Sequence, residues 1–139
     1  MVRYRVESEY RDLFKRYKIG TIIWSPLESG ILAGRYLNGI PDNSRYKLKY
    51  DNARCDIQLY LDNKKEWDEK LLKLKDIAEK KLNYNLAQLA IAWAIANPGY
   101  ILGVSKVSQL EETIKAVEIY KKLDKELLKE ILGMFLKEK

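Results

Sequence analysis

The chain has 139 residues, 47% of them hydrophobic and 33% charged, which is the length and composition of one globular domain. Its net charge is +6, but lysine and glutamate are interleaved in the charged clusters as on solvated helix faces, so we expect no nucleic-acid partner. The chain has no histidine and one cysteine, Cys55, which excludes a zinc site, a histidine-dependent hydrolase and an intramolecular disulfide.

The first part of the chain predicts one helix, one strand and a long loop. The segment from Val6 to Tyr17 has apolar residues at helical spacing. Thr21-Ile22-Ile23-Trp24 is a β-branched, apolar run before Ser25-Pro26, which predicts a short buried strand that ends there. The stretch from Asp42 to Asn63 has no clean period, so we expect it to be irregular.

The middle of the chain predicts two helices. The first is amphipathic and runs from Glu66 to Lys81. The second begins at Asn85, which can cap it, and Gln88 completes the pattern of a capping box. This second helix is apolar on almost every side, so we expect it to be buried between layers until Asn97-Pro98-Gly99 ends it.

The last part predicts a second strand and two more helices. Tyr100 to Val104 is the strand, Val107 to Tyr120 is a helix, and Asp124 caps the last helix. Alternation of this kind indicates an α/β protein with a parallel sheet. Two strands are too few for such a sheet, so we expect the chain to be part of a larger α/β fold.

Five motifs, in this order and spacing, carry a resemblance to a known family. They are Arg5-Val6-Glu7-Ser8-Glu9-Tyr10; Trp24-Ser25-Pro26-Leu27 through Gly30; Gly39-Ile40-Pro41 with Ser44-Arg45; Leu86-Ala87-Gln88-Leu89-Ala90-Ile91-Ala92-Trp93 before Asn97-Pro98; and Gly103-x-Ser105 followed by Gln109-Leu110-x-Glu112. From Val6 to Gly133, the chain resembles the last third of an aldo-keto reductase, in particular the potassium-channel β-subunit branch of that family.

The resemblance implies the C-terminal portion of a (β/α)8 TIM barrel, with about two strands and five helices. Residues 1–139 would form one partial aldo-keto reductase domain. Thr21 to Trp24 would be strand seven of the barrel and Tyr100 to Val104 would be strand eight.

The resemblance also implies a binding site for NADP(H). The matched positions are Trp24, Ser25, Pro26, Leu27 and Ser29 for the pyrophosphate and ribose; Arg35, Asn43 and Arg45 for the loop over the cofactor; and Gly103, Ser105, Lys106, Gln109, Glu112 and Thr113 for the adenosine end. Thr113 departs from the family, which usually has asparagine there.

Physical reasoning on the last of the five motifs, which begins at Gly103, agrees with this site. Ser105 to Gln109 opens a helix, so free N–H groups and the positive end of the helix dipole would face an anion. Lys106 would favour a 2′-phosphate, and hence NADP over NAD, while Gln109 and Glu112 can pair with an adenine edge. Each feature also has a plainer interpretation: Ser-Pro as a turn, Lys106 as a surface lysine, and Ser108-x-x-Glu111 as a capping box.

The family reduces carbonyls with a tyrosine acid supported by lysine, aspartate and usually histidine, all from the first half of the barrel. None of those motifs is present, so we expect a partial NADPH-dependent carbonyl oxidoreductase that is inactive alone, with no catalytic and no metal-binding residue of its own. The alternative is a non-catalytic regulatory subunit resembling potassium-channel β-subunits. A third possibility is a reading frame without function.

The expected partners besides NADPH are the missing half-barrel or a membrane channel subunit. Exposed strand edges of a partial barrel would also favour self-association. No apolar run approaches the ~20 residues of a membrane span, and the first residues have no signal-peptide core. We therefore expect a cytoplasmic protein that is not inserted in a membrane.

Overall fold

The computed structural model describes residues 8–19, 22–44, 46–48, 51–95, 104 and 106–135, with backbone alone for 51–56. Within these residues there are seven α-helices, a kinked 3-10 segment and a π-helical turn. The helices are α1 Arg11–Tyr17, α2 Asp51–Asp62, α3 Lys64–Asp76, α4 Leu86–Ile95, α5 Val107–Ile114, α6 Ala116–Tyr120 and α7 Lys125–Gly133; the 3-10 segment is Glu28–Ala33 and the π turn is Ile77–Leu82.

Helix α4 lies at the centre of the core. Its alanines and leucines favour a helix, its isoleucines help to make it apolar on nearly every side, and eight of its ten residues are buried. The predicted burial of this helix is confirmed. Helix α6, whose Ala116 is fully buried, packs closely against α4, since small side chains allow two helices to approach. Helices α3 and α5, the π turn and the 3-10 segment also contact α4.

Other helices complete the core with large apolar side chains. Ile57 and Tyr60 of α2, Leu71 and Leu74 of α3 and Ile131 of α7 are each no more than 2% exposed. Burying such a side chain contributes about 1.5–3 kcal/mol. The core therefore connects elements that lie far apart in the sequence.

Both predicted helix caps are confirmed. The Asn85 side chain accepts a hydrogen bond from the Gln88 N–H at 2.9 Å, and the Gln88 side chain accepts one from the Asn85 N–H at 3.0 Å. This reciprocal pair is a capping box. Before α7, Asp124 Oδ1 accepts a hydrogen bond from the Leu127 N–H at 2.7 Å.

The prediction that residues 42–63 are irregular is wrong for α2, which covers Asp51–Asp62. Its buried residues, Ile57 and Tyr60, have helical spacing, but they are only two and the exposed Leu59 lies between them, so the apolar stripe is too short to recognise in the sequence. The helix predicted from Val107 to Tyr120 is interrupted at Lys115 and forms α5 and α6. The described part of the chain therefore has seven α-helices where five were predicted, because α2 is additional and one predicted helix is divided into α5 and α6.

The predicted strands are not confirmed. Ile23 forms an isolated β-bridge, and within the described residues no longer strand is present. Thr21 and residues 100–103 lie outside the described part, and Val104 is not in a strand. The expected burial of the first strand is wrong at Ile22 and Trp24, which are 72% and 78% exposed. A strand is buried by the neighbouring strands and helices of its sheet, so the apolar run alone cannot bury it.

Candidate functional site

The first predicted cofactor segment forms a tight turn with an unusual backbone. Ser25, Glu28 and Ser29 have φ values of 52°, 46° and 53°, and Gly30 follows with 99°. The left-handed region costs a residue with a Cβ roughly 1–2 kcal/mol. Strained backbone of this kind is concentrated at functional sites. We call the residues from Ser25 to Gly30 the left-handed turn.

The left-handed turn is fixed by hydrogen bonds to its own backbone and to a buried side chain. The Gly30 N–H donates to the Leu27 carbonyl at 3.0 Å. The Tyr36 hydroxyl donates to the Ser29 carbonyl at 3.0 Å, and Tyr36 is only 1% exposed. A buried ring thus holds the turn from its inner side.

The outer side of the turn is accessible to a ligand. The Trp24 ring and Ser25 are exposed, whereas Pro26 and Leu27 are half-buried. Leu27 packs against the hydrophobic core. Leu27 therefore anchors the turn to the core, whereas Trp24 and Ser25 face solvent.

Arg35 and Asn43, two predicted site residues, are brought together. Arg35 Nη2 donates to the Asn43 carbonyl at 3.1 Å and to Asn43 Oδ1 at 2.8 Å. A Cβ at Gly30 would lie 3.3 Å from Arg35 Cδ, so the arginine stem passes directly beside the turn. Arg45 lies outside the described residues. The arrangement places one guanidinium next to the left-handed turn.

Part of the second predicted segment lies at the start of α5. Gly103 and Ser105 are outside the described residues. Lys106 is the residue before α5, with extended backbone (φ −143°, ψ 147°), and its side chain makes no capping hydrogen bond. Gln109 is exposed in the first turn of α5, and its N–H donates to the Lys106 carbonyl at 3.1 Å. An exposed ammonium group thus stands at the positive end of the helix dipole.

Glu112 and Thr113 contact protein groups. The Glu112 carboxylate accepts a hydrogen bond from Asn85 Nδ2, and its carbonyl accepts one from Gln88 Nε2 at 2.9 Å. The Thr113 hydroxyl donates to the Leu110 carbonyl at 3.0 Å, and the residue is 6% exposed. These contacts connect α5 with the start of α4. A role for the two residues in cofactor binding stays a prediction.

The start of α4 also brings the two predicted segments towards each other. A Cβ at Gly34 would lie 3.4 Å from Leu86 Cδ2, in the first turn of α4. Gln88, also in that turn, holds the Glu112 carbonyl. The segment that follows the left-handed turn and the last turn of α5 therefore both contact the first turn of one buried helix.

A further polar cluster was not predicted from the sequence. It consists of Tyr60, Lys64 and Asp68, and we call it the Tyr60 cluster. The Tyr60 hydroxyl and the Lys64 ammonium group both donate to the Asp68 carboxylate, and Lys64 Nζ also donates to the Leu37 carbonyl at 3.3 Å. Burial raises the pKa of Tyr60, and the hydrogen bond to Asp68 and its negative charge raise it further. The four-residue spacing of the three side chains was the available sequence signal.

The described residues also bear on metal binding and on membrane insertion. In the described part of the chain, no three acidic or cysteine side chains are placed to hold a metal ion. None of the described helices combines the length and the apolar character needed to cross a membrane.

Comparison with known proteins shows the family of this chain. The model of the aldo/keto reductase family matches residues 1–134. A probable voltage-gated potassium channel subunit beta of Oryza sativa subsp. japonica is 40% identical, over 93% of this chain and 39% of its own length. A putative subunit of the same kind from Schizosaccharomyces pombe is 37% identical, over 94% of this chain and 38% of its own length.

A third relative, a probable voltage-gated potassium channel subunit beta of Arabidopsis thaliana, is 42% identical over 84% of this chain and 35% of its own length. The chain thus spans less than two fifths of the length of the curated relatives it matches. The family match nevertheless covers nearly all of its residues. This chain therefore belongs to the aldo/keto reductase family, whose fold is a (β/α)8 barrel.

Proposed function

We propose that the chain provides the phosphate- and adenosine-binding part of an NADP(H) site in a carbonyl oxidoreductase, as the C-terminal part of its barrel. The observation that carries the proposal is the left-handed turn beside Arg35, because Gly34 just after it and Glu112 of α5 both contact the first turn of α4. Bound NADPH would supply the hydride for reduction. The residues of this chain would hold the cofactor.

The donor set suits a polyanionic cofactor. Arg35 and Lys106 supply two cationic groups, and the start of α5 supplies the positive end of a helix dipole. Trp24 offers an exposed aromatic ring beside the left-handed turn. In this proposal, Lys106 pairs with the 2′-phosphate and accounts for a preference for NADPH over NADH.

The chemistry of the Tyr60 cluster argues against Tyr60 as a catalytic acid. Tyrosine, lysine and aspartate are residue types that the family uses for proton donation. Here, however, Tyr60 is 2% exposed and directs its proton to Asp68, so no carbonyl substrate can reach it. Its raised pKa further opposes proton release. We therefore propose that the catalytic tetrad comes from the remainder of the barrel.

The surface of α5 and α6 supports docking of that remainder. Val107, Leu110, Ile114 and Val117 are exposed by 73%, 40%, 57% and 44%, although all four are apolar and have helical spacing. An exposed apolar stripe of this kind indicates an interaction surface. We propose that the rest of the barrel covers it and that the free chain self-associates in the cytoplasm.

A non-catalytic regulatory role is the second candidate. Three relatives over 84–94% of this chain carry names of voltage-gated potassium channel β-subunits. In this alternative, the cofactor-binding barrel would dock on a membrane channel subunit. Co-purification with a channel subunit, without NADPH oxidation in the presence of aldehydes, would favour this role.

A fluorescence titration tests the proposed cofactor site. We expect NADPH to quench the tryptophan fluorescence of the full chain saturably, and NADH to do so more weakly. Trp24→Phe should remove the quenching, because the other two tryptophans, Trp67 and Trp93, are partly or fully buried in the core. Lys106→Met should abolish the difference between the two cofactors. No saturable response in the wild-type chain would contradict the proposal.

A further inference from the structure

The Tyr60 cluster joins helices α2 and α3 to the segment after the left-handed turn. Lys64 Nζ lies 3.3 Å from the Tyr60 hydroxyl and 3.3 Å from the Leu37 carbonyl, and it also pairs with Asp68. An ammonium group has three donors, and each of the three has an oxygen acceptor here. One of those acceptors is a backbone carbonyl 27 residues earlier in the chain.

A second connection runs beside the first. The rings of Tyr36 and Tyr60 are in contact, with centroids 6.2 Å apart. The Tyr36 hydroxyl in turn donates to the Ser29 carbonyl at 3.0 Å. The cluster therefore contacts two consecutive residues after the turn, Tyr36 and Leu37, and Tyr36 connects it to the left-handed turn.

Comparison with another ion pair of the same spacing shows what is particular to the cluster. Asp76 and Lys80 form an exposed pair, with side chains 61% and 72% exposed, at the end of α3 and in the π turn. The Lys64 and Asp68 side chains are only 35% and 24% exposed. An exposed pair adds little to stability. Removing the Lys64–Asp68 pair from water costs more free energy. Lys64 also contacts the Leu37 carbonyl, which lies in a distant loop.

From this geometry, we infer that Tyr60, Lys64 and Asp68 are positioning residues that hold the left-handed turn in its binding conformation. The inference rests on the proposed function for its consequence in cofactor binding. It assigns the cluster no contact with the cofactor. Strained φ values at Ser25, Glu28 and Ser29 require such support, because the turn would otherwise relax to favourable backbone conformations.

The test compares Lys64→Met with Lys80→Met in the full chain. Amide hydrogen exchange would be measured at Glu28 and Gly30, whose N–H groups donate to the Ser25 and Leu27 carbonyls at 2.9 and 3.0 Å within the left-handed turn. We expect faster exchange at these amides in Lys64→Met alone, because local opening of the loop is no longer opposed. Lys64→Arg, which keeps the charge and donors, should restore slow exchange.

A second measurement separates positioning from general destabilisation. We expect Lys64→Met to weaken NADPH binding by roughly tenfold, because the turn would adopt its binding conformation only about a tenth of the time. Adenosine 2′,5′-bisphosphate, which has no pyrophosphate, should bind the variant and wild type with affinities within about twofold of each other. Equal weakening of both ligands would overturn the inference.

The outcomes distinguish this inference from the proposed function. If wild-type chain fails to bind NADPH, the proposed function is wrong, and the exchange comparison still decides whether the cluster holds the turn. Unchanged exchange at Glu28 and Gly30 in Lys64→Met would overturn the inference. Should circular dichroism show that Lys64→Met is unfolded, Asp68→Asn provides the same test with less change in volume.

Discussion

The left-handed turn leads into the 3-10 segment that packs against α4, but the turn and the first turn of α4 are specified in different ways. At the start of α4, Asn85 and Gln88 satisfy each other's backbone groups at 2.9 and 3.0 Å, within a few residues of sequence. In the left-handed turn, Ser25, Glu28 and Ser29 adopt φ values that they do not favour. That turn depends on contacts from Tyr36 and, further away, from Lys64.

This difference separates the candidate site from the scaffold, by which we mean α4 and the helices packed around it. The scaffold is stable because its local signals and its burial agree. The candidate site is held against local preference by side chains from other elements, as expected where a backbone is shaped for a ligand. Changes in the scaffold should therefore cost stability, and changes around the turn should mainly alter its conformation.

The largest effect is expected in the centre of the scaffold. Leu89→Ala truncates a side chain that is 0% exposed in α4, and we expect the free energy of unfolding to fall by about 2–5 kcal/mol because a cavity forms. Urea denaturation measures the change. Leu72→Ala is the control, since Leu72 is 52% exposed on α3. Equal losses in the two variants would contradict the central position of α4.

A pair of glycine substitutions tests the turn itself. Gly30 has φ 99°, so Gly30→Ala should lower the free energy of unfolding by about 1–2 kcal/mol through backbone strain. Gly133 ends α7 with open space around a Cβ, so Gly133→Ala should raise it by about 0.5–1 kcal/mol. Thermal denaturation compares the two variants. A stabilising Gly30→Ala would show that the left-handed conformation is wrong.

The scaffold could be predicted from the sequence because its signals are local. The cap at Asn85, the cap at Asp124 and the apolar run of α4 each require only neighbouring residues to recognise. Helix α2 was missed because its burial comes from packing against the 3-10 segment. The predicted strands need sheet neighbours, and the sequence of one segment does not supply them.

The loop of the candidate site was predicted, but its backbone geometry was not. The strand was expected to end at Ser25-Pro26 with a loop after it, but nothing in the residue types there predicts left-handed φ values at Ser25, Glu28 and Ser29. The contact of Lys64 with the Leu37 carbonyl joins residues 27 positions apart. Such a contact depends on the packing of whole helices and leaves no periodic signal.

The pH dependence of stability tests the support beneath the turn. The pKa of Tyr60 is raised in the folded chain, so above pH ~10 the unfolded chain loses that proton first and stability falls as pH rises. The slope contributed by Tyr60 should reach about 1.4 kcal/mol per pH unit. Tyr60→Phe should lose this part of the slope. The lysines are the same in both proteins, so their titration cancels in the comparison. Urea denaturation between pH 9 and 11 measures the difference, and parallel curves would contradict the buried contact with Asp68.

The smallest effect is expected where the scaffold meets the second cofactor segment. Asn85→Ala removes the cap and the contact with Glu112, and we expect a loss of about 1 kcal/mol in urea denaturation. Asn85→Ser keeps an oxygen for the Gln88 N–H but has no amide to reach Glu112, so it separates the two roles. Recovery of stability in the serine variant would assign the loss to the cap. If serine is as damaging as alanine, the link to α5 is the larger contribution, and the start of α4 depends on tertiary contacts as the left-handed turn does.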